Sequence, residues 1–169
     1  IDDYRLVRGP KDPSTLSAIN NLGTLLVQER KFDEAERLFR ECLAIRREVR
    51  GAGKPGTVLG LYNLAYVLSE LGRLEEAEKL LREGFESSRT VLGPDHPTTL
   101  MMMSELGALL SKLGRLDDAE KLLRPCLEAQ RRVLEPSDHE GRHTAERLEA
   151  VVKARSRTFE ARTSVGLKK

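Results

Sequence analysis

The chain has 169 residues, a formal net charge of +2, 33% charged and 39% apolar residues, and no tryptophan. That length admits one compact domain or a short run of repeats, and a Leu- and Ala-rich composition favours helices over an aromatic-rich β-sandwich. Near-neutral charge gives no ground for wholesale nucleic-acid binding, and no apolar run reaches the roughly eighteen residues a membrane span needs.

A period of forty-two residues organises the chain. "NLGTLLVQERKFDEAERLFRECLAIRREVRG" (21–51) aligns with "NLAYVLSELGRLEEAEKLLREGFESSRTVLG" (63–93) and with "ELGALLSKLGRLDDAEKLLRPCLEAQRRVLE" (105–135). Leu22, Leu64 and Leu106 correspond, as do Gly23, Ala65 and Gly107, and Ala35, Ala77 and Ala119. Repeats are expected at about 15–50, 57–92 and 99–134.

Ahead of them, "VRGPKDPST" (7–15) matches the linker "VLGPDHPTT" (91–99), so residues 1–8 read as the tail of an earlier repeat's second helix. With Ile1 rather than Met at its start, the chain reads as cut from a longer array or capped by a half-repeat.

Within each repeat the pattern predicts two helices. The first carries apolar residues at helical spacing, such as Leu61, Leu64, Ala65 and Leu68. A break follows at Glu29-Arg30-Lys31, Leu71-Gly72-Arg73 or Leu113-Gly114-Arg115, with glycine suited to a C-cap in two copies. The second helix opens on acidic pairs (Asp33-Glu34, Glu75-Glu76, Asp117-Asp118), which the positive end of the helix dipole favours. It closes on basic residues such as Arg46-Arg47 and Arg131-Arg132. The small residue of the first helix is expected to face Ala35, Ala77 or Ala119, so that the axes approach closely. One pair cannot bury its apolar stripe alone, so the expected fold is all-α, a right-handed solenoid of stacked antiparallel helix pairs.

After the third repeat the register fades. Leu148 and Ala161 keep it, but Glu149 and Ser156 replace the expected small residue and glycine. Residues 136–169 therefore read as a degenerate fourth repeat and polar C-terminal cap with a basic tail. In that tail Lys153, Arg155, Arg157, Arg162, Lys168 and Lys169 have Glu160 as their counter-charge. It reads as a solvated cap, with docking on an acidic partner, or on nucleic acid through phosphate contacts, as the alternatives.

The pattern resembles tetratricopeptide repeats. The forty-two-residue spacing, "LGPDHPTTL" (92–100) and "GRLDDAEKLLR" (114–124) resemble the kinesin-light-chain type over about residues 9–135. The resemblance implies a concave groove lined by the first helices. Its expected lining is Ser17, Asn20, Asn21, Thr24 and Gln28, then Leu59, Tyr62, Asn63, Tyr66 and Glu70, then Met101, Ser104, Glu105, Ala108 and Lys112. Asn21 and Asn63 stand where the family often keeps an amide to pin a peptide backbone, because an amide donates and accepts together. The third repeat departs, with Glu105 in place of Asn. Tyr62 and Tyr66, one turn apart, offer rings and hydroxyls. Lys112 and Arg147 would favour acidic ligands while Glu70 and Glu105 oppose them, which argues against a carboxylate clamp.

Two further features have local readings. Cys42 and Cys126 share one repeat position, held by Gly84 in the second copy, and read as small packing residues. "HEGRH" (139–143) fits the zinc-peptidase pattern H-E-x-x-H. Gly141 weakens a helix there, no H-x-x-G-x-x-H extension follows, and Glu160 as a third ligand would lie in the poorly patterned tail. His139 reads instead as an inherited linker histidine, with Ser137 and Glu140 forming a capping box.

The expected function is a non-catalytic protein-interaction module, cytoplasmic and without cofactor, binding a peptide or protein partner. A permanent scaffold subunit docking through its outer helices or ends is the second reading, and a zinc peptidase the last. No sustained heptad run suggests coiled-coil pairing with a motor chain.

Overall fold

The computed structural model describes residues 7–50, 54–133 and 139–166, with backbone alone at 50 and 159–166. Seven helices account for nearly all of it: α1 (Pro13–Gln28), α2 (Phe32–Arg50), α3 (Pro55–Glu70), α4 (Leu74–Leu92), α5 (Pro97–Lys112), α6 (Leu116–Val133) and α7 (His139–Gly166). Among the described residues there is no strand, and no helix is long and apolar enough to cross a membrane. The proposed N-terminal remnant falls mostly outside the described residues, as do Ser137, Lys168 and Lys169.

Punctuation sets the helix ends. Pro13, Pro55 and Pro97 open α1, α3 and α5, at a position where a missing N–H costs nothing. Asp12 Oδ1 accepts from the Ser14 amide at 2.8 Å, and His96 Nδ1 accepts from the Thr98 amide at 3.1 Å. Each caps an N–H that the helix itself cannot satisfy. Between paired helices, Gly72 (φ 78°) and Gly114 (φ 73°) take the left-handed turn. Arg30 makes the same turn without glycine (φ 59°), and its guanidinium lies 5.6 Å from the centre of the Phe32 ring. The acidic pairs occupy the first turns of α2, α4 and α6 as the sequence predicts.

The chain divides into two compact units, Ile1–Pro94 and Asp95–Lys169. In the first, α2 packs on both α1 and α3, α4 packs on α3, and α1 touches α3. In the second, α6 packs on both α5 and α7, and α5 touches α7. Each unit thus alternates first and second helices, so that a second helix fills the space between consecutive first helices.

At Gly23 and Gly107 the small residue allows close approach, with Phe39 and Leu123 as the nearest side chains. A methyl at Gly23 would lie 2.5 Å from Phe39 Cε1, and one at Gly107 would lie 2.6 Å from Leu123 Cγ. Phe39 and Leu123 stand one helical turn beyond Ala35 and Ala119. The glycines therefore make room for a large side chain of the facing helix. All four of these second-helix residues are buried.

The cysteines meet expectation. Cys42 Sγ donates to the Leu16 carbonyl at 3.4 Å, and Cys126 Sγ donates to the equivalent Leu100 carbonyl at 3.2 Å. Both are free and buried; burial raises the Cys42 thiol pKa and pushes that of Cys126 up to about 12, which leaves little reactive thiolate.

The end of the chain differs from a decayed helix pair. α7 runs unbroken through Ser156, where the turn glycine of the other repeats is missing. The second and third repeats carry glycine at that position, while the first makes its turn on Arg30. Pro125 inside α6 removes one backbone bond, to the Lys121 carbonyl, without ending that helix either.

Candidate functional site

The expected groove positions fall on α1, α3 and α5. On α1, Asn21, Thr24, Ser17 and Gln28 are exposed and Asn20 is half-buried. On α3, Leu59 and Tyr66 are 41% and 42% exposed, with Tyr62 and Asn63 half-buried between them. Asn63 Nδ2 donates to Asn20 Oδ1 at 2.9 Å and ties α3 to α1. That bond leaves Asn20 Nδ2 as a donor and Asn63 Oδ1 as an acceptor outside it. Thr24 and Ser17 donate their hydroxyls to backbone carbonyls one turn back, Asn20 O at 3.0 Å and Pro13 O at 2.8 Å. Thr24 Oγ1 is thereby used as a donor and keeps only its acceptor capacity.

In the second unit the matching positions do other work. Ser104 is fully buried, and its hydroxyl lies 2.8 Å from Thr144 Oγ1 on α7. The Arg147 guanidinium donates to Ser104 Oγ and to Glu105 Oε1, each at 2.7 Å. Ser104 and Glu105 are thus engaged in seating α7. Met101 is half-buried and Lys112 exposed. Asn20 with Asn63, and Ser104 with Arg147, join the same two positions of consecutive first helices. One junction is a neutral amide pair and the other is a charged one. The departure of Glu105 from Asn has its reason here: its carboxylate receives Arg147.

Charges on the second helices are largely paired with one another. Arg73 Nη1 reaches Glu36 Oε1 at 2.8 Å, Arg40 reaches Glu76 at 3.3 Å, and Arg47 reaches Glu83 at 2.6 Å. These pairs are exposed, so water and salt screen them and each contributes little. Arg73 also bonds Glu76 directly and holds its carboxyl below the usual range.

The basic tail is more engaged than its sequence suggests. Arg155 on α7 pairs with Asp117 Oδ1 at 2.8 Å and with Glu120, both on α6. Arg124 and Arg155 together hold the Glu120 carboxyl below its ordinary range. The side chains of Glu160 and Arg162 lie outside the described residues.

His139 and His143 fall on the first turns of α7, which forms despite Gly141, and both are exposed. Arg142 lies 2.7 Å from His139 Nδ1, and His143 Nδ1 lies 3.7 Å from Glu146. Among the described residues no three His, Cys, Asp or Glu side chains come together as a metal site.

Comparison with known families fits this geometry. Models of the tetratricopeptide repeat match residues 15–55 and 56–132. The chain belongs to the tetratricopeptide repeat family. Solved tetratricopeptide structures share its fold. A Podosopora anserina protein described as a kinesin light chain with nearly identical TPR-like repeats superposes with a TM-score of 0.77 at 20% identity, over 98% of this chain and 78% of that one. BtubC (BKLC) from P. vanneervenii gives 0.78 at 22% identity, over 92% of this chain and 62% of its own. The first TPR of Spaghetti (RPAP3), bound to the HSP90 peptide SRMEEVD, gives 0.61 at 19% identity, over 86% and 96%. A search of curated protein sequences returns no match.

Proposed function

We propose that this tetratricopeptide chain is a non-catalytic interaction module that holds a peptide or protein partner along its first helices. The observation that carries the reading is the Asn20–Asn63 amide pair, set beside Leu59 and Tyr66, which are large, apolar and about two-fifths exposed. An open donor and acceptor match the N–H and C=O of an extended backbone, while the leucine and the ring supply apolar area. A tetratricopeptide relative of the same fold holds an HSP90 peptide, which supports peptide capture as a class. The free, buried thiols fit a reducing, cytoplasmic setting.

The test is a peptide-array screen followed by titration of the best binder. Tyr66→Ala should weaken binding about tenfold, and Asn63→Ala by about fivefold, since Asn20 then loses its partner as well. Circular dichroism should show both variants folded. Unchanged affinity in both would remove the assignment.

One observation favours a second reading, a scaffold subunit docking end to end. Leu22 and Leu25 on α1 are 37% and 55% exposed, although their counterparts Leu64 and Val67 are buried. On this reading the purified chain self-associates in light scattering, and Leu25→Glu makes it monomeric. A monomeric wild-type chain would end it.

A further inference from the structure

The proposed groove has a charge character that selects its ligand. α1 contains no charged residue at all, and α3 contains only Glu70, at its final position. Every turn of α2 and α4, by contrast, carries charge. Charge in the first unit is therefore carried by the second helices and the loops, where Arg40, Arg47 and the α4 N-cap residue Arg73 are paired with Glu76, Glu83 and Glu36. The first-helix face offers Asn20, Asn21, Thr24, Leu59, Asn63 and Tyr66 instead. An open depression of about 410 Å³ along α1, lined by Pro13, Ser14, Ser17, Ala18 and Asn21, has an uncharged lining too.

We infer that the first unit takes an uncharged, apolar peptide segment, bound by contact with Leu59 and Tyr66 and by backbone hydrogen bonds to the asparagines. The inference rests on the groove reading above and names its ligand class. A carboxylate entering this face would leave water without meeting a cation, which is costly. An apolar side chain packed on Leu59 and Tyr66 gains instead in proportion to the area removed from water. Such binding changes little with salt, because screening acts on charges and not on apolar burial.

Fluorescence anisotropy on the intact chain can read this with three labelled, end-capped ten-residue peptides. One is neutral and rich in Leu and Tyr; the second has the same apolar residues flanked by Asp and Glu; the third is neutral and polar. The neutral apolar peptide should bind at least tenfold more tightly than either other. Its Kd should change less than twofold between 50 and 500 mM NaCl, and Tyr66→Ala should weaken it about tenfold. Placing lysines at Thr24 and Tyr66 should reverse the preference towards the acidic peptide.

Two results overturn the inference. Tighter binding of the acidic peptide to the wild type, lost on adding salt and on Tyr66→Ala, rejects the ligand class and leaves the groove standing. Failure of all three peptides, or binding indifferent to Tyr66→Ala and Asn63→Ala, rejects the groove and the ligand class together.

Discussion

Leu64→Ala is expected to destabilise the first unit by about 2–5 kcal/mol, and Leu22→Ala by less than about 1 kcal/mol. The two leucines occupy the same position in successive repeats, so intrinsic helix propensity and side-chain chemistry cancel in the comparison. What differs is cover: Leu64 is 1% exposed and Leu22 is 37% exposed. α3 lies between α2 and α4, whereas the described contacts of α1 are with α2 and α3 alone. Truncating Leu64 opens a cavity inside a closed layer, where loss of transfer energy and loss of packing add. At Leu22 the space opened faces water, and neither cost is large. Urea unfolding followed by circular dichroism gives the two values. Hydrogen exchange should place the Leu64→Ala loss in α2, α3 and α4, as expected for repeats coupled through their neighbours. Equal costs at the two sites would show that α1 is covered in solution.

Much of this architecture is legible in the sequence because it repeats. Three copies of an apolar helix, a turn and an acid-led helix specify the pairs, and prolines and glycines at the same period specify their ends. The cysteine position is legible for the same reason, since glycine in one copy shows that the site demands a small residue. Contacts between repeats are less legible. Asn63 bonds Asn20 rather than its counterpart Asn21, a pairing between different repeat positions that periodicity alone does not mark. The packing of Gly23 on Phe39 is hidden likewise, since periodicity marks the small residue but not which turn of the facing helix fills it. The histidine motif matched a string whose side chains face partners on their own helix. Arg30 shows the limit of turn rules: the left-handed position is required by the fold and is met without glycine. A usable signal was present at Glu105 and Arg147. Opposite charges at one register position in consecutive repeats, where asparagines stand earlier, mark a junction built on charge.

That junction sets the other large effect. Arg147→Ala should cost about 1–3 kcal/mol in the second unit, and loosen α7 before α5 and α6. The guanidinium is 29% exposed and Glu105 is 21% exposed, so water screens the pair in part and the figure lies below that for a fully buried bridge. The loss is still substantial because one fork serves two acceptors. Without it the Glu105 carboxylate keeps its desolvation but loses its cation, and the buried Ser104 hydroxyl retains only Thr144. Arg147→Lys should recover little, since a single ammonium lacks the planar fork that meets both oxygens. Arg147→Met with Glu105→Leu should recover most of the stability, because it removes both charges and keeps the volume. Arg155→Ala, on the more exposed face of α7, should cost clearly less than Arg147→Ala, because water screens its pairs. Hydrogen exchange over 139–158 reads the result directly. If protection there is the same in Arg147→Ala as in the wild type, apolar packing through residues such as Val151, and not the charged junction, holds α7 in place.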